Sequence, residues 1–298
     1  MLKFAGDAII VMFSTESDHL AHACKRAVAC ALEIQRRHRS YQSDDLTLAC
    51  HIGIGAGPVF LIHVGGVNDN WEFLVAGDPL RQLESAVDSG KAGDVVVSRE
   101  AFVASRAAFP AQQLDSGDYL ILAAEVPDSA LPPPRPLTPQ PLDATTHAAA
   151  LRRYLSQSVL SRIDANLTRW IGELRRVTVL FVGLSSIKVQ RRAKFDHLVL
   201  HDAVCAFQRV IFKYQGTIRQ ALVDDKGTVL IAVFGVPPYA HADDARRGVQ
   251  AALGIQAELW SMGVLHSIGV TYDSEAPSPR VCTRGFPNRS EERRVGKE

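Results

Sequence analysis

The residue types best suited to chemistry in this chain sit at its turns. Gly6-Asp7 separates two short apolar runs near the amino terminus, and Asp224-Asp225-Lys226-Gly227 lies near the matching place in the second half. A carboxylate on a tight turn projects rigidly from a sheet rim, where it can ligate a hard cation such as Mg²⁺. Aspartate is also a common turn former, and on residue types alone that is the reading of Asp7, while Asp224 and Asp225 read as exposed turn carboxylates. Gly53-Ile54-Gly55-Ala56-Gly57 has the glycines of a phosphate loop, but not the spacing of a dinucleotide fingerprint, and no Gly-Lys-Ser/Thr follows. It reads instead as a strand ending in a turn where backbones approach closely. The ten histidines form no ligand cluster. The five cysteines include no Cys-x-x-Cys pair, which argues against structural zinc and fits thiols packed as small apolar groups in a reducing compartment.

The elements that hold these residues follow from apolar periodicity. Residues 2–13 read as a hairpin turning at Gly6-Asp7. Ser17 or Asp18 can cap a helix whose apolar positions Leu20, Ala23, Cys24, Ala27, Val28, Ala31 and Ile34 keep helical spacing. Leu46 to Ile54 alternates as a half-buried strand, Trp71 to Ala76 is a second, and Val95-Val96-Val97 a third, with a helix over Leu80 to Val87. Further on come a polar helix from about Thr145 to Leu174 and an apolar strand from Val177 to Leu184. A helix over Val199–Tyr214, a hairpin ending in Val229–Phe234, a helix over Ala245–Leu259 and a strand near His266–Val270 complete the pattern.

Much of this order occurs twice. Ile9-Ile10-Val11-Met12-Phe13 matches Leu230-Ile231-Ala232-Val233-Phe234, and the helix from Cys24 to Gln35 matches Ala245 to Gln256 at the same separation, so nothing is inserted between them. His51-Ile52-Gly53-Ile54 returns as Ser267-Ile268-Gly269-Val270. A repeat of this length is one supersecondary unit used twice. The second copy shows strand, helix, hairpin, helix, strand, and the first shows that order only from its hairpin onward.

The 298 residues fit two domains, with 47% hydrophobic and 22% charged residues as in ordinary globular chains. Pro127 to Pro141, with Pro132-Pro133-Pro134, behaves as an extended linker. The expected division is a first unit at 1–126, the linker at 127–144, a second unit at 145–271 and a doubtful tail at 272–298. Its last ten residues, 289–298, resemble the translation of a sequencing adapter and read as an artefact. The chain reads as a fragment truncated at both ends. Net charge of +1 offers no bulk attraction to nucleic acid, and no nucleic-acid partner is expected. Basic clusters such as Arg36-Arg37-His38-Arg39 read as solvated faces. No apolar run reaches the roughly 18 residues of a membrane span. The amino terminus reads as a strand and not as a signal peptide, so a cytoplasmic location is expected.

Lys3-Phe4-Ala5-Gly6-Asp7-Ala8 resembles the second metal-binding motif of class III nucleotide cyclases. The likeness is to the tandem catalytic domains of bicarbonate-responsive soluble adenylyl cyclases. His51 to Val59 and Phe73-Leu74-Val75-Ala76-Gly77 resemble the first such domain. Arg176 to Val182 and Asp225 to Gly235 resemble the second. The resemblance covers most of residues 1–271. It implies an α+β fold: two ferredoxin-like cyclase units packed as a pseudo-symmetric pair, with clefts at their interface. It implies conversion of ATP to cyclic AMP and pyrophosphate by two-metal catalysis with Mg²⁺ or Mn²⁺ as cofactor.

Residue by residue, the resemblance puts Asp7 in the metal role, with its partner carboxylate on a strand the first unit lacks. Gly183 stands where the second unit would carry that carboxylate. Gln220 takes the place of a purine-contacting lysine, and a glutamine can still hydrogen-bond a base edge. A bicarbonate-type anion site would use Lys3, Val75 and Arg81, with Glu84 standing where relatives place an arginine. Lys3 is equally an ordinary strand lysine. The transition-state asparagine and arginine would lie beyond Thr271, so no catalytic residue is assigned and the chain as it stands is expected to be inactive. The other reading is a degenerate cyclase pair that binds nucleotide or acts as a scaffold.

Overall fold

A two-residue rhythm of burial runs along β9 (Thr178–Leu184), where Thr178, Leu180, Val182 and Leu184 are buried while Phe181 is exposed. That rhythm is a strand with one face covered. The structure is a computed structural model and describes residues 3–5, 8–15, 19–39, 50–123, 126, 144–166, 175–185, 197–224 and 227–272. In the second unit β9 is followed by α6 (His197–Lys213), β10 (Thr217–Asp224), β11 (Gly227–Phe234), α7 (Asp244–Ser261) and β12 (Ser267–Tyr272). The strands order as β10-β11-β9-β12, every neighbour antiparallel. This is the ferredoxin-like β-α-β-β-α-β arrangement. Phe207, Ile211, Ile255 and Leu259 on the two helices bury against Leu180, Leu230 and Phe234 of the sheet.

The first unit is assembled differently. Its four-stranded sheet runs β3 (Ile52–Ile54), β6 (Val95–Val97), β8 (Tyr119–Ile121), β7 (Ala111–Gln113), with β3 and β6 parallel. The crossover between the parallel strands includes α2 (Asp78–Ser89), as a parallel pair requires. The sheet packs on α1 (Leu20–Arg39) and α3 (Arg99–Ala104) through Cys24, Val28, Ala31, Ile54, Val95, Val97 and Ala101. The glycines within and just after β3 permit close approach: a Cβ on Gly53 would lie 2.9 Å from the Leu83 carbonyl oxygen, and one on Gly55 2.5 Å from that of Pro79. β1 (Lys3–Ala5) and β2 (Ala8–Ile10) pair as a separate hairpin, Ala5 opposite Ala8.

The repeat aligns β2 with β11 and β3 with β12. In the second unit β9 lies between those two strands. In the first unit β2 and β3 belong to separate sheets, and no strand among the described residues joins them. The sequence order is therefore repeated, and the sheet is not.

The units are joined by a ribbon from the first, β4 (Phe60–Gly65) and β5 (Trp71–Ala76), capped by a short 3-10 turn at Val67–Asp69. Sequence periodicity missed β4. Val64 and Leu74 of this ribbon sit in the core of the second unit, 0% and 2% exposed. Gln208 of α6, fully buried, fastens the ribbon tip. Its Oε1 accepts from the Val67 N–H at 3.1 Å, and its Nε2 donates to the Asn70 carbonyl at 2.9 Å. Gly65 is required beneath it, because its φ is +89° and a Cβ would stand 2.5 Å from Gln208 Nε2. The single polar helix expected over 145–174 is instead α4 (Ala144–Arg152) and α5 (Gln157–Asp164) among the described residues, broken by a turn at 153–156.

Replacing Gln208 by Leu leaves the half-buried Val67 N–H without its partner and takes one of two donors from the Asn70 carbonyl, which keeps the Gly66 N–H at 2.8 Å, at about 1–3 kcal/mol for the orphaned group. Urea unfolding of Gln208→Leu is expected to show that loss, with faster amide exchange at 65–71. An unchanged midpoint would show that the ribbon is held by its apolar contacts alone.

Candidate functional site

β5 of the first unit runs beside β10, the edge strand of the second sheet, and the seam between them opens into a cavity of about 220 Å³. Its walls are Trp71, Glu72 and Phe73 from β5, Arg219, Gln220 and Ala221 from β10, and Tyr154 from the turn after α4. On β10 the pairing register shifts between Ile218 and Gln220, leaving Arg219 as the extra residue of a bulge. Bulges re-aim the side chains beside them, and here Arg219 is exposed at the seam while Gln220 is half-buried.

The turn after α4 straps the seam. The Trp71 N–H donates to the Arg153 carbonyl at 2.8 Å, and Asn70 Nδ2 donates to the Leu155 carbonyl at 3.3 Å. Arg153 pairs with Asp69 at 3.1 Å, and Tyr154 Oη is 2.8 Å from His63 Nδ1. Phe73 lies against His63, and Trp71 against His201 of α6. Three aromatic side chains are thus fixed around the cavity by contacts that come from both units and their connector.

Glu72 is the unusual member. It is the one carboxylate on an otherwise apolar strand, and burial pushes its carboxyl up to about 7. Among the described residues it makes no hydrogen bond or ion pair. A cavity with one carboxyl, one amide, a guanidinium at the rim and aromatic walls suits a planar, polar, heteroaromatic group. At about 220 Å³ it is below the ~300–1,000 Å³ of whole-ligand pockets, so it can take part of a larger molecule.

Of the residues singled out in the sequence, Gln220 is in this cavity. Asp7 lies outside the described residues, as do the proposed cap residues Ser17 and Asp18. Lys3 pairs with Ile10 in the β1–β2 hairpin, and its side chain is outside the description. Val75 is buried on β5, and Arg81 is exposed on α2 with its guanidinium 3.9 Å from Asp78. Neither lines the cavity. Gly183 faces β12, where a Cβ would stand 2.9 Å from Ser267 Oγ. Among the described residues no three His, Cys, Asp or Glu side chains gather as metal ligands, and no helix is long and apolar enough to cross a membrane. Sequence reasoning missed Trp71, Glu72, Phe73 and Tyr154. The available signal was a lone glutamate in a buried strand.

The chain resembles adenylate cyclases in sequence. It is similar to adenylate cyclase type 10 of Oryctolagus cuniculus, 24% identical over 305 residues that cover 91% of this chain and 18% of that protein. The same protein of Homo sapiens is 25% identical over 290 residues, 86% of this chain and 17% of that one. The chain thus spans under a fifth of the length of these relatives. A crystal structure of the guanylyl cyclase Cya2 aligns with 34% of this chain and 56% of its own, at 23% identity and a TM-score of 0.25, too loosely to superpose site residues. No family profile matches the chain.

Because the carboxyl of Glu72 titrates near 7 when folded and near its ordinary 4.5 when unfolded, its effect on stability has a definite sign. Folding favours the protonated form, so stability is full below about 4.5 and falls as pH rises through 7, by roughly 3 kcal/mol at most. Glu72→Gln removes that loss. Urea unfolding is expected to show the variant more stable than wild type at about pH 8 and near equal at about pH 5. A wild-type curve that is flat over this range would contradict the assignment.

Proposed function

We propose that the chain is part of an adenylate cyclase that converts ATP to cyclic AMP and pyrophosphate in cytoplasmic signalling, with the nucleotide held between its two units. The observation that carries this reading is the extent of the match to adenylate cyclase type 10, 86–91% of the chain and so both units with their connector. The position of Gln220 supports it. The seam between the units already contains the residue that resemblance assigns to the base, and its amide can pair with a purine edge between aromatic walls.

Mg²⁺ or Mn²⁺ is the cofactor of this reaction class, neutralising the triphosphate and activating the ribose 3′-hydroxyl when bound. Asp7 is the residue of this chain proposed to hold it. The described residues by themselves do not fit a two-metal centre, since they gather no carboxylate cluster and Gly183 occupies the matching strand of the second unit. Regulation by a bicarbonate-type anion belongs to the same proposal and uses Lys3, Val75 and Arg81, with the Arg81 guanidinium released from Asp78. A second reading, a degenerate pair that binds nucleotide or serves as a scaffold, is favoured by Gly183, Gln220 and Glu84.

The test is a radiolabelled ATP assay in Mg²⁺ or Mn²⁺ on two forms of the protein. The chain alone is expected to make no cyclic AMP. The chain extended by an upstream strand carrying an aspartate is expected to make it, and Asp7→Ala in that form to abolish turnover. Undiminished turnover in the Asp7→Ala form would remove the metal assignment. Nucleotide binding without turnover in every form would establish the degenerate pair.

A further inference from the structure

Tyr154 is fixed more firmly than an exposed tyrosine on a turn needs to be. The carbonyls on either side of it are anchored, that of Arg153 accepting from the Trp71 N–H at 2.8 Å and that of Leu155 from Asn70 Nδ2 at 3.3 Å. Its tip is anchored as well, with Oη 2.8 Å from His63 Nδ1. The residue is nevertheless 39% exposed, and it lines the cavity at the β5–β10 seam. Fixing a side chain in one rotamer costs conformational entropy, and burial repays little of that cost here. A ring held in place beforehand spares the same cost to whatever binds against it.

We propose that Tyr154 is the wall of the nucleotide site on which the purine ring stacks, and that His63 is the positioning residue that holds it there. The inference rests on the reading of the seam as a purine-nucleotide cleft. It makes the connector part of the site as well as a tether between the units. The cavity of about 220 Å³ takes a base and leaves ribose and phosphates outside. An amide such as Gln220 engages a base only at its edge. The face of the base needs a flat partner, and an aromatic side chain supplies one to any base.

The other aromatic walls already have ring partners within the protein. Phe73 lies 5.3 Å from His63 between ring centroids, and Trp71 lies 6.3 Å from His201. His63 meets Tyr154 at an interplanar angle of 63°, an edge contact that leaves the flat surface of the phenol unstacked. His63 is itself well placed to act as an anchor, since it pairs directly with Phe73 across the β4–β5 ribbon. The remaining side-chain contact of the strap, Arg153 with Asp69, is an exposed ion pair and holds the turn only weakly. Loss of the His63 bond therefore frees the phenol ring to swing, while the backbone bonds at 153 and 155 keep the strap in place.

The experiment is calorimetric titration of the full chain in Mg²⁺ buffer with ATP and with inorganic tripolyphosphate, which carries the charge and lacks the base. The proteins are wild type, Tyr154→Ala, Tyr154→Phe, His63→Ala and the double variant Tyr154→Phe with His63→Ala. Tyr154→Ala is expected to weaken ATP binding about fivefold or more and to leave tripolyphosphate unchanged. Tyr154→Phe keeps the ring and loses its anchor, so it and His63→Ala are each expected to weaken ATP about threefold. The double variant is expected to match the single ones, because both changes remove the same bond. Unchanged ATP binding in Tyr154→Ala overturns the role of Tyr154 and leaves the purine site standing. Equal weakening of ATP and tripolyphosphate in that variant, or equal losses of ATP in Tyr154→Ala and Tyr154→Phe, shows that the ring does not stack on the base and also overturns it. Additive losses in the double variant overturn the positioning role of His63. Absence of ATP binding to wild type overturns the purine reading and the proposal together.

Discussion

One buried amide holds the arrangement of the two units. Gln208 has no access to solvent, and both ends of its side chain are engaged by backbone groups at the tip of a ribbon that belongs to the other unit. A buried amide is tolerated when it is satisfied and destabilising when it is not, so the ribbon tip has one favourable seat on α6. That seat fixes β5 along β10, and the cavity exists because those two strands run side by side. The strap from the connector, Arg153 to Leu155, then closes on a ribbon whose position Gln208 has already set.

The two copies of the unit have diverged in what they supply. The second keeps a complete four-stranded antiparallel sheet and contributes an edge strand whose bulge turns Arg219 and Gln220 toward the seam. The first contributes aromatic residues and the lone carboxyl on a ribbon that leaves its own sheet altogether. A site formed this way is asymmetric by construction. Repetition supplies two similar frames, and the chemistry comes from where they differ.

Most elements of this fold were legible in the sequence because their signals are local. The strand over Trp71 to Ala76 and the triple valine strand emerge at the residues expected, and the second hairpin and both its helices lie within a few residues of their expected bounds. What was not legible depends on distant partners. β4 follows a glycine-rich stretch and shows no alternation, since Val64 is buried by a core that lies in the other half of the chain. The polar helix over 145–174 gives way at 153–156, where the Arg153 and Leu155 carbonyls accept from the ribbon while the Tyr154 and Leu155 N–H groups close the last turn of α4 on Leu151 and Arg152. Within the site, Gln220 was found through resemblance. Glu72 became significant once β5 was placed against β10 and the burial that raises its carboxyl could be seen.

The placement of Val64 and Leu74 has a consequence for how the molecule comes apart. The proline-rich connector divides the sequence into two halves, but the apolar interior does not respect that division, since both side chains from the first half complete the core of the second. Cutting the chain at the connector would strip two large apolar residues from one partner and expose them on the other. The second half alone would carry an open hydrophobic slot along α6, and the first half alone would carry a greasy, unpaired ribbon prone to self-association. The natural cooperative element of this protein is accordingly the joined pair.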